Sequence, residues 1–93
     1  MSKRLQILEI TREILVEQLG TYRCNDKEAL VDDVHLKDHL GADSIDLCMI
    51  VVALEDKIGV SFTREDHKSL SSQPTIGNIV DIAYAKLQEK ELG

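Results

Sequence analysis

The chain has 93 residues, a formal net charge of −6, 43% hydrophobic residues and 30% charged residues. That length makes one domain, residues 1–93, with a single modest core, and the composition is too apolar for a disordered chain. The acidic balance excludes a nucleic-acid role, which needs clustered Lys and Arg, and favours basic protein surfaces as partners.

Residues 3–19 read as an amphipathic helix. Leu5, Leu8, Leu15 and Leu19 form one stripe, Ile7, Ile10 and Ile14 lie beside it, and Glu9, Arg12, Glu13 and Glu17 take the other face. Ser2 is the expected cap and Gly20 the expected stop. Residues 20–42 are the least regular part. Asn25-Asp26-Lys27-Glu28 has the form of a capping box for one helical turn. A connection this long inside a small domain is read as packed, pinned by Val34, Leu36 and Leu40.

The second helix covers about 44–58, where Leu47, Ile50, Val51, Leu54 and Ile58 follow i, i+3, i+4, i+7, i+11. Asp43 or Ser44 is its N-cap, Asp46 suits the positive end of the helix dipole, and Gly59 ends it. Val60-Ser61-Phe62 is a short extended link with Phe62 buried. Thr63 caps a short third helix to about Leu70, with Asp66 three residues on. Ser71-Ser72-Gln73-Pro74 is a turn. Thr75 caps a last helix to about Leu92, with Ile76, Ile79, Val80, Ala83 and Leu87 on its inner face. No stretch alternates with period two. The expected fold is all-α, a small four-helix bundle of three longer helices and a short third one, with a long first loop.

The aromatics are Tyr22, Phe62 and Tyr84, so Leu, Ile, Val and Ala must build the core. No basic-apolar-small leader opens the chain, and no apolar run approaches the ~20 residues of a membrane span. A cytoplasmic location follows as the expectation. Cys24 and Cys48 form no C-x-x-C pair and are read as free thiols. His35 and His39 stand four apart, but no third His or Cys stands at ligand spacing, so a polar loop pair is preferred to a metal site. His67 lies in the mixed-charge run Arg64–Lys68, a solvated face. Nothing resembles a strained nucleophile elbow, a Gly-rich phosphate loop or a calcium loop. An enzyme is not expected.

Ser44 stands out because it opens a helix, where free N–H groups seat an anion, including a phosphate esterified to the serine itself. Gly41-Ala42-Asp43-Ser44-Ile45-Asp46-Leu47, followed by Ala53-Leu54-Glu55-Asp56-Lys57-Ile58-Gly59-Val60, resembles the acyl carrier proteins. The resemblance covers nearly the whole chain, down to the Pro74-Thr75-Ile76 start of the last helix. It implies a four-helix topology and 4′-phosphopantetheine on Ser44, with Asp43 beside it, moved from coenzyme A by a phosphopantetheinyl transferase. It further implies a thiol-ended arm that holds acyl groups as thioesters for acyl-loading and acyl-processing enzymes of fatty acid or lipid biosynthesis. Partner contacts would fall on the second helix at Asp46, Leu47, Met49, Val52, Glu55 and Asp56. A monomer suits such a shuttle.

One departure bears on the partners. Fatty-acid-type members usually carry Glu five residues after the serine, where this chain has Met49. No charge stands between Asp46 and Glu55, which points to a more apolar docking surface. Met49 is expected at that surface and Val52 partly buried. A specialised carrier for polyketide, nonribosomal peptide, lipid-modification or D-alanyl transfer is the alternative pathway reading. An unmodified helical interaction module, with Ser44 only a cap, is the alternative from another class.

Overall fold

The computed structural model describes residues 2–20, 24 and 27–92. Helix α1 (Lys3–Leu19) begins where Ser2 Oγ accepts the Leu5 N–H at 3.1 Å. It ends at Gly20, whose φ of 85° suits glycine. Ile7, Leu8, Thr11, Ile14, Leu15 and Leu19 are its buried face. Two expectations fail here. Leu5 is exposed, because at 100° per residue it falls off the edge of that stripe. Arg12 is no free surface charge: it donates to Leu30 O at 2.9 Å and to Glu9 at 2.6 Å, fastening the following loop to α1. Thr11 sits in the middle of the buried face and is fully buried, with its hydroxyl satisfied by Ile7 O at 2.8 Å.

The expected single turn appears as a 3₁₀ turn at Lys27–Ala29. Asn25 and Asp26 of its proposed capping box, and Tyr22, lie outside the described residues. The long loop is packed: Cys24, Leu30 and Leu36 are buried, with Val34 and Leu40 against them.

Within that loop the structure adds helix α2 (Leu36–Leu40), so there are five α-helices among the described residues where four were expected. His35 Nδ1 caps it by accepting the Asp38 N–H at 3.1 Å, and Gly41 closes it in the left-handed region at φ 67°. Five residues are too few to show a period, and histidine is not among the usual caps.

Helices α3 (Ser44–Ile58), α4 (Arg64–Ser72) and α5 (Ile76–Leu92) complete the chain. Ser71 and Ser72 are helical rather than part of a turn, so α4 runs two residues past the expected Leu70. It stops at Gln73 because the residue before a proline is driven out of the helical region. Thr75 Oγ1 accepts the Asn78 N–H at 3.1 Å, the expected cap of α5.

Helices α1, α3 and α5 share the core. Leu47, Ile50, Val51 and Leu54 meet Ile76, Ile79, Val80 and Ala83 there, with Phe62 closing one end. No strand occurs among the described residues, but His35 and Thr75 form an isolated antiparallel bridge. Around it Leu36 N–H donates to Pro74 O at 2.7 Å, Ile76 N–H to Val34 O at 3.1 Å, and Gly77 N–H to Asp32 O at 3.0 Å. Arg4 adds a side-chain tie, pairing with Asp32 at 2.9 Å and Asp81 at 2.8 Å. Those hydrogen bonds, Asp81 first, push the guanidinium pKa further up. The loop leading to Ser44 is therefore fixed to the start of α5. No helix of the described residues is long and apolar enough to cross a membrane.

Candidate functional site

Asp43 is the N-cap of α3, and Ser44 is its first helical residue. Asp43 Oδ1 accepts the Asp46 N–H at 2.8 Å, while Asp46 Oδ2 accepts the Asp43 N–H at 3.2 Å. This reciprocal box leaves the Ser44 hydroxyl out of the capping work. Ser44 and Ile45 are exposed, and their N–H groups, the first two of the helix, find no acceptor among the described residues of the preceding loop. A phosphate ester on Ser44 fits this position, with open solvent for an arm and unused donors for its oxygens.

Gly41 in the left-handed region and Ala42, buried against the core, set the direction in which the chain enters α3. Behind Ser44 lies a cavity of about 80 Å³ between α2, α3 and α4. Leu47, Val51 and Leu70 form its apolar floor, and Lys37, Cys48, His67 and Ser71 its remaining wall. Helix α4 is held in place there by a second capping box, in which Thr63 Oγ1 accepts the Asp66 N–H at 3.2 Å and Asp66 accepts the Thr63 N–H at 2.8 Å. Asp66 also pairs with Lys86 of α5 at 2.9 Å. Burial pushes the Asp66 carboxyl up, but hydrogen bonds from Thr63 and Lys86 outweigh it and hold the pKa below the ordinary aspartate value. The same bond to Asp66 raises Lys86.

The other expected site residues divide. Met49 is 48% exposed, and Asp56 is exposed two turns further on. Leu47 is only 8% exposed and belongs to the core, so it cannot be a partner contact in this conformation. Val52 is 55% exposed rather than partly buried, because it lies on the side of α3 opposite Leu47, Ile50, Val51 and Leu54. Glu55 is half-buried and accepts the Phe62 N–H at 2.7 Å, so it serves the α3–α4 loop rather than a partner.

Ile45, 70% exposed, is the apolar residue missed. The signal was present: 45, 49, 52 and 56 step by four, three and four residues, an outward stripe opposite the core stripe. Beside it an open groove between α1 and α3 is lined by Gln18, Cys48, Met49, Val52, Ala53 and Asp56. Lys37 and His67 were also missed as neighbours of Ser44, since nothing local in the sequence brings three separate elements together.

Cys48 is an exposed free thiol, and Cys24 is buried with its thiol directed at Leu15 O at 3.7 Å. His35 and His39 are occupied in capping α2, the His35 N–H donating to His39 Nδ1 at 2.8 Å.

A family model described as "Phosphopantetheine attachment site" matches residues 9–82. An acyl carrier protein of Saccharopolyspora erythraea is 33% identical over 79 residues, which is 85% of this chain and 76% of that protein. An acyl carrier protein of Solidesulfovibrio magneticus is 35% identical over 66 residues, 71% of this chain and 80% of that one. The solved structure of the acyl carrier protein from Enterococcus faecalis superposes with a TM-score of 0.69 at 26% identity, covering 91% of this chain and 99% of that one.

Proposed function

This chain belongs to the acyl carrier protein family, and on that premise we propose that Ser44 bears its 4′-phosphopantetheine and that α3 presents the arm to partner enzymes. The protein is a carrier and not a catalyst. The arm supplies a terminal thiol on which an acyl group travels as a thioester. The observation that carries the Ser44 assignment is the division of labour at the helix start. Asp43 and Asp46 close the cap on each other, so Ser44 is exposed with its hydroxyl uncommitted.

A phosphopantetheinyl transferase would deliver the arm from coenzyme A, the serine oxygen taking the phosphorus and an adenosine bisphosphate leaving. Afterwards the Ser44 and Ile45 N–H groups face a permanent monoanion, which the dipole of a fifteen-residue helix favours. The test is an intact mass spectrum before and after incubation with coenzyme A, magnesium and a broad-specificity transferase, followed by peptide mapping. One phosphopantetheinyl group on the Ser44 peptide is the expected result. Loading on a different residue, or none on a folded chain, would leave the interaction-module reading in its place.

For the pathway, the family supports a role in supplying fatty acid or lipid biosynthesis. The exposed Ile45, Met49 and Val52 favour a second reading, a specialised carrier whose partners dock on an apolar face. Comparing loading by a malonyl transferase with loading by aminoacyl- or acyl-adenylating enzymes separates the two.

A further inference from the structure

We propose that Lys37 and His67 hold the phosphodiester at the root of the arm, one from each side of Ser44. This rests on the assignment of the arm to Ser44 made above.

Lys37 on α2 and His67 on α4 line the same cavity as Ser44. The three residues come from three helices, so the fold, and not local sequence, makes the grouping. Each of the two side chains is also unspent. Lys37 has no carboxylate within ion-pair distance among the described residues, in a chain of net charge −6. Lys3, Arg4, Arg12, Lys86 and Lys90 are engaged elsewhere; Lys57, Arg64 and Lys68 form no ion pair among the described residues either, but none of them lines this cavity.

His67 differs from the other two histidines in the same way. His35 and His39 use their Nδ1 atoms inside α2, whereas neither ring nitrogen of His67 makes a hydrogen bond among the described residues. Its exposed side chain is part of the cavity wall, and its ring lies beside Phe62, centroids 6.3 Å apart. The titratable and charged groups around it are Lys37 from α2, Cys48 from α3, and Arg64, Asp66 and Lys68 on its own helix. Asp66 is taken by Thr63 and Lys86. Asp43 and Asp46 flank Ser44 but are turned into their mutual box.

A phosphodiester on Ser44 is the anion this arrangement lacks. Lys37 gives it a counter-charge, and the His67 ring offers it an N–H donor. The arm is then gripped at its root, and its thiol end remains free. The apolar floor of Leu47, Val51 and Leu70 lies under the grip, so the root is held at the cavity mouth.

The experiment uses the loaded chain, with mass spectrometry first placing the arm on Ser44. The phosphorus-31 resonance of the phosphodiester reports on the groups that bind its oxygens. The expected result is a resonance that shifts in Lys37→Gln and in His67→Gln and stays in place in His39→Gln. Nuclear Overhauser contacts from the arm's first methylene to Lys37 Hε and to the His67 ring are also expected. A phosphorus resonance unmoved in Lys37→Gln or in His67→Gln, or no contacts to Lys37, would overturn the clamp while leaving the attachment intact. Absence of the arm from Ser44 in the mass spectrum would overturn both.

Discussion

The Glu55 carboxylate accepts the backbone N–H of Phe62 at 2.7 Å, seven residues further along, so a side chain of α3 shapes the loop that leads into α4. Glu55→Ala removes a charge-assisted bond to a half-buried amide and is expected to cost about 1–3 kcal/mol. Asp56→Ala next to it, on the exposed face, is expected to stay within about 0.5 kcal/mol of the parent. Urea unfolding of the pair checks this. Equal midpoints for the two variants would mean that Glu55 is a surface residue.

Ser44→Ala is expected to abolish loading of the arm while changing stability by less than about 0.5 kcal/mol, since Asp43 and not Ser44 is the cap. Asp43→Ala is the opposite case, costing about 1 kcal/mol through the lost cap. Mass spectrometry after transferase treatment and thermal unfolding read the two effects separately.

Met49→Glu and Val52→Glu place charge on an exposed apolar face. Both variants are expected to fold with stability within about 0.5 kcal/mol of the parent and to accept the arm. Their loss appears as a raised KM for the acyl-loading partner, in steady-state assays at matched arm loading. Unchanged kinetics with every partner would remove the stripe from the docking surface.

Asp66 ties α4 to α5 with its carboxyl held below the usual range. A depressed folded value means that its contribution is complete above the unfolded aspartate value of about 3.9 and is lost as pH falls through the lower folded value. Lys86, raised by the same bond, contributes fully below about pH 10.4 and loses that contribution as pH rises through its folded value. Urea midpoints followed from pH 7 to pH 2 should fall less steeply in Asp66→Asn than in the parent. An identical acid limb in both would deny the carboxylate its part.

A Cβ added at Gly77 would lie 3.0 Å from Asp32 Cβ and 3.1 Å from Asp32 O, with the Gly77 N–H already bonded to that oxygen. Gly77→Ala is therefore expected to destabilise by about 1–3 kcal/mol despite the better helix propensity of alanine. Thermal unfolding against a surface control such as Ala85→Gly tests it.

Long elements were legible from pattern alone. The core stripe of α3, both of its terminal glycine and aspartate signals, and the Thr63 and Thr75 caps follow from spacing and side-chain chemistry. Helix α2 was not legible, because a five-residue helix capped by a histidine carries neither period nor a usual cap. The roles of Arg12 and Glu55 were hidden for a different reason: both are charged residues whose partners are backbone groups 18 and 7 positions away. Ser44 was singled out by its helix start and the motif around it. The outward stripe through Ile45 was readable on the same helical wheel that gave the core. Val52 was misjudged, although the same wheel sets it opposite the core stripe.

The stitch between residues 32–36 and 74–77 has a mechanical consequence. With the arm on Ser44 as proposed, a partner that pulls on it would put tension into the chain at that residue. Part of that load passes along α3, and part runs back through Gly41 into the loop. There the Leu36–Pro74, Val34–Ile76 and Asp32–Gly77 bonds pass it sideways to α5. The load is shared between two well-buried helices, so the handle can be pulled without peeling the first turn of α3 from the body.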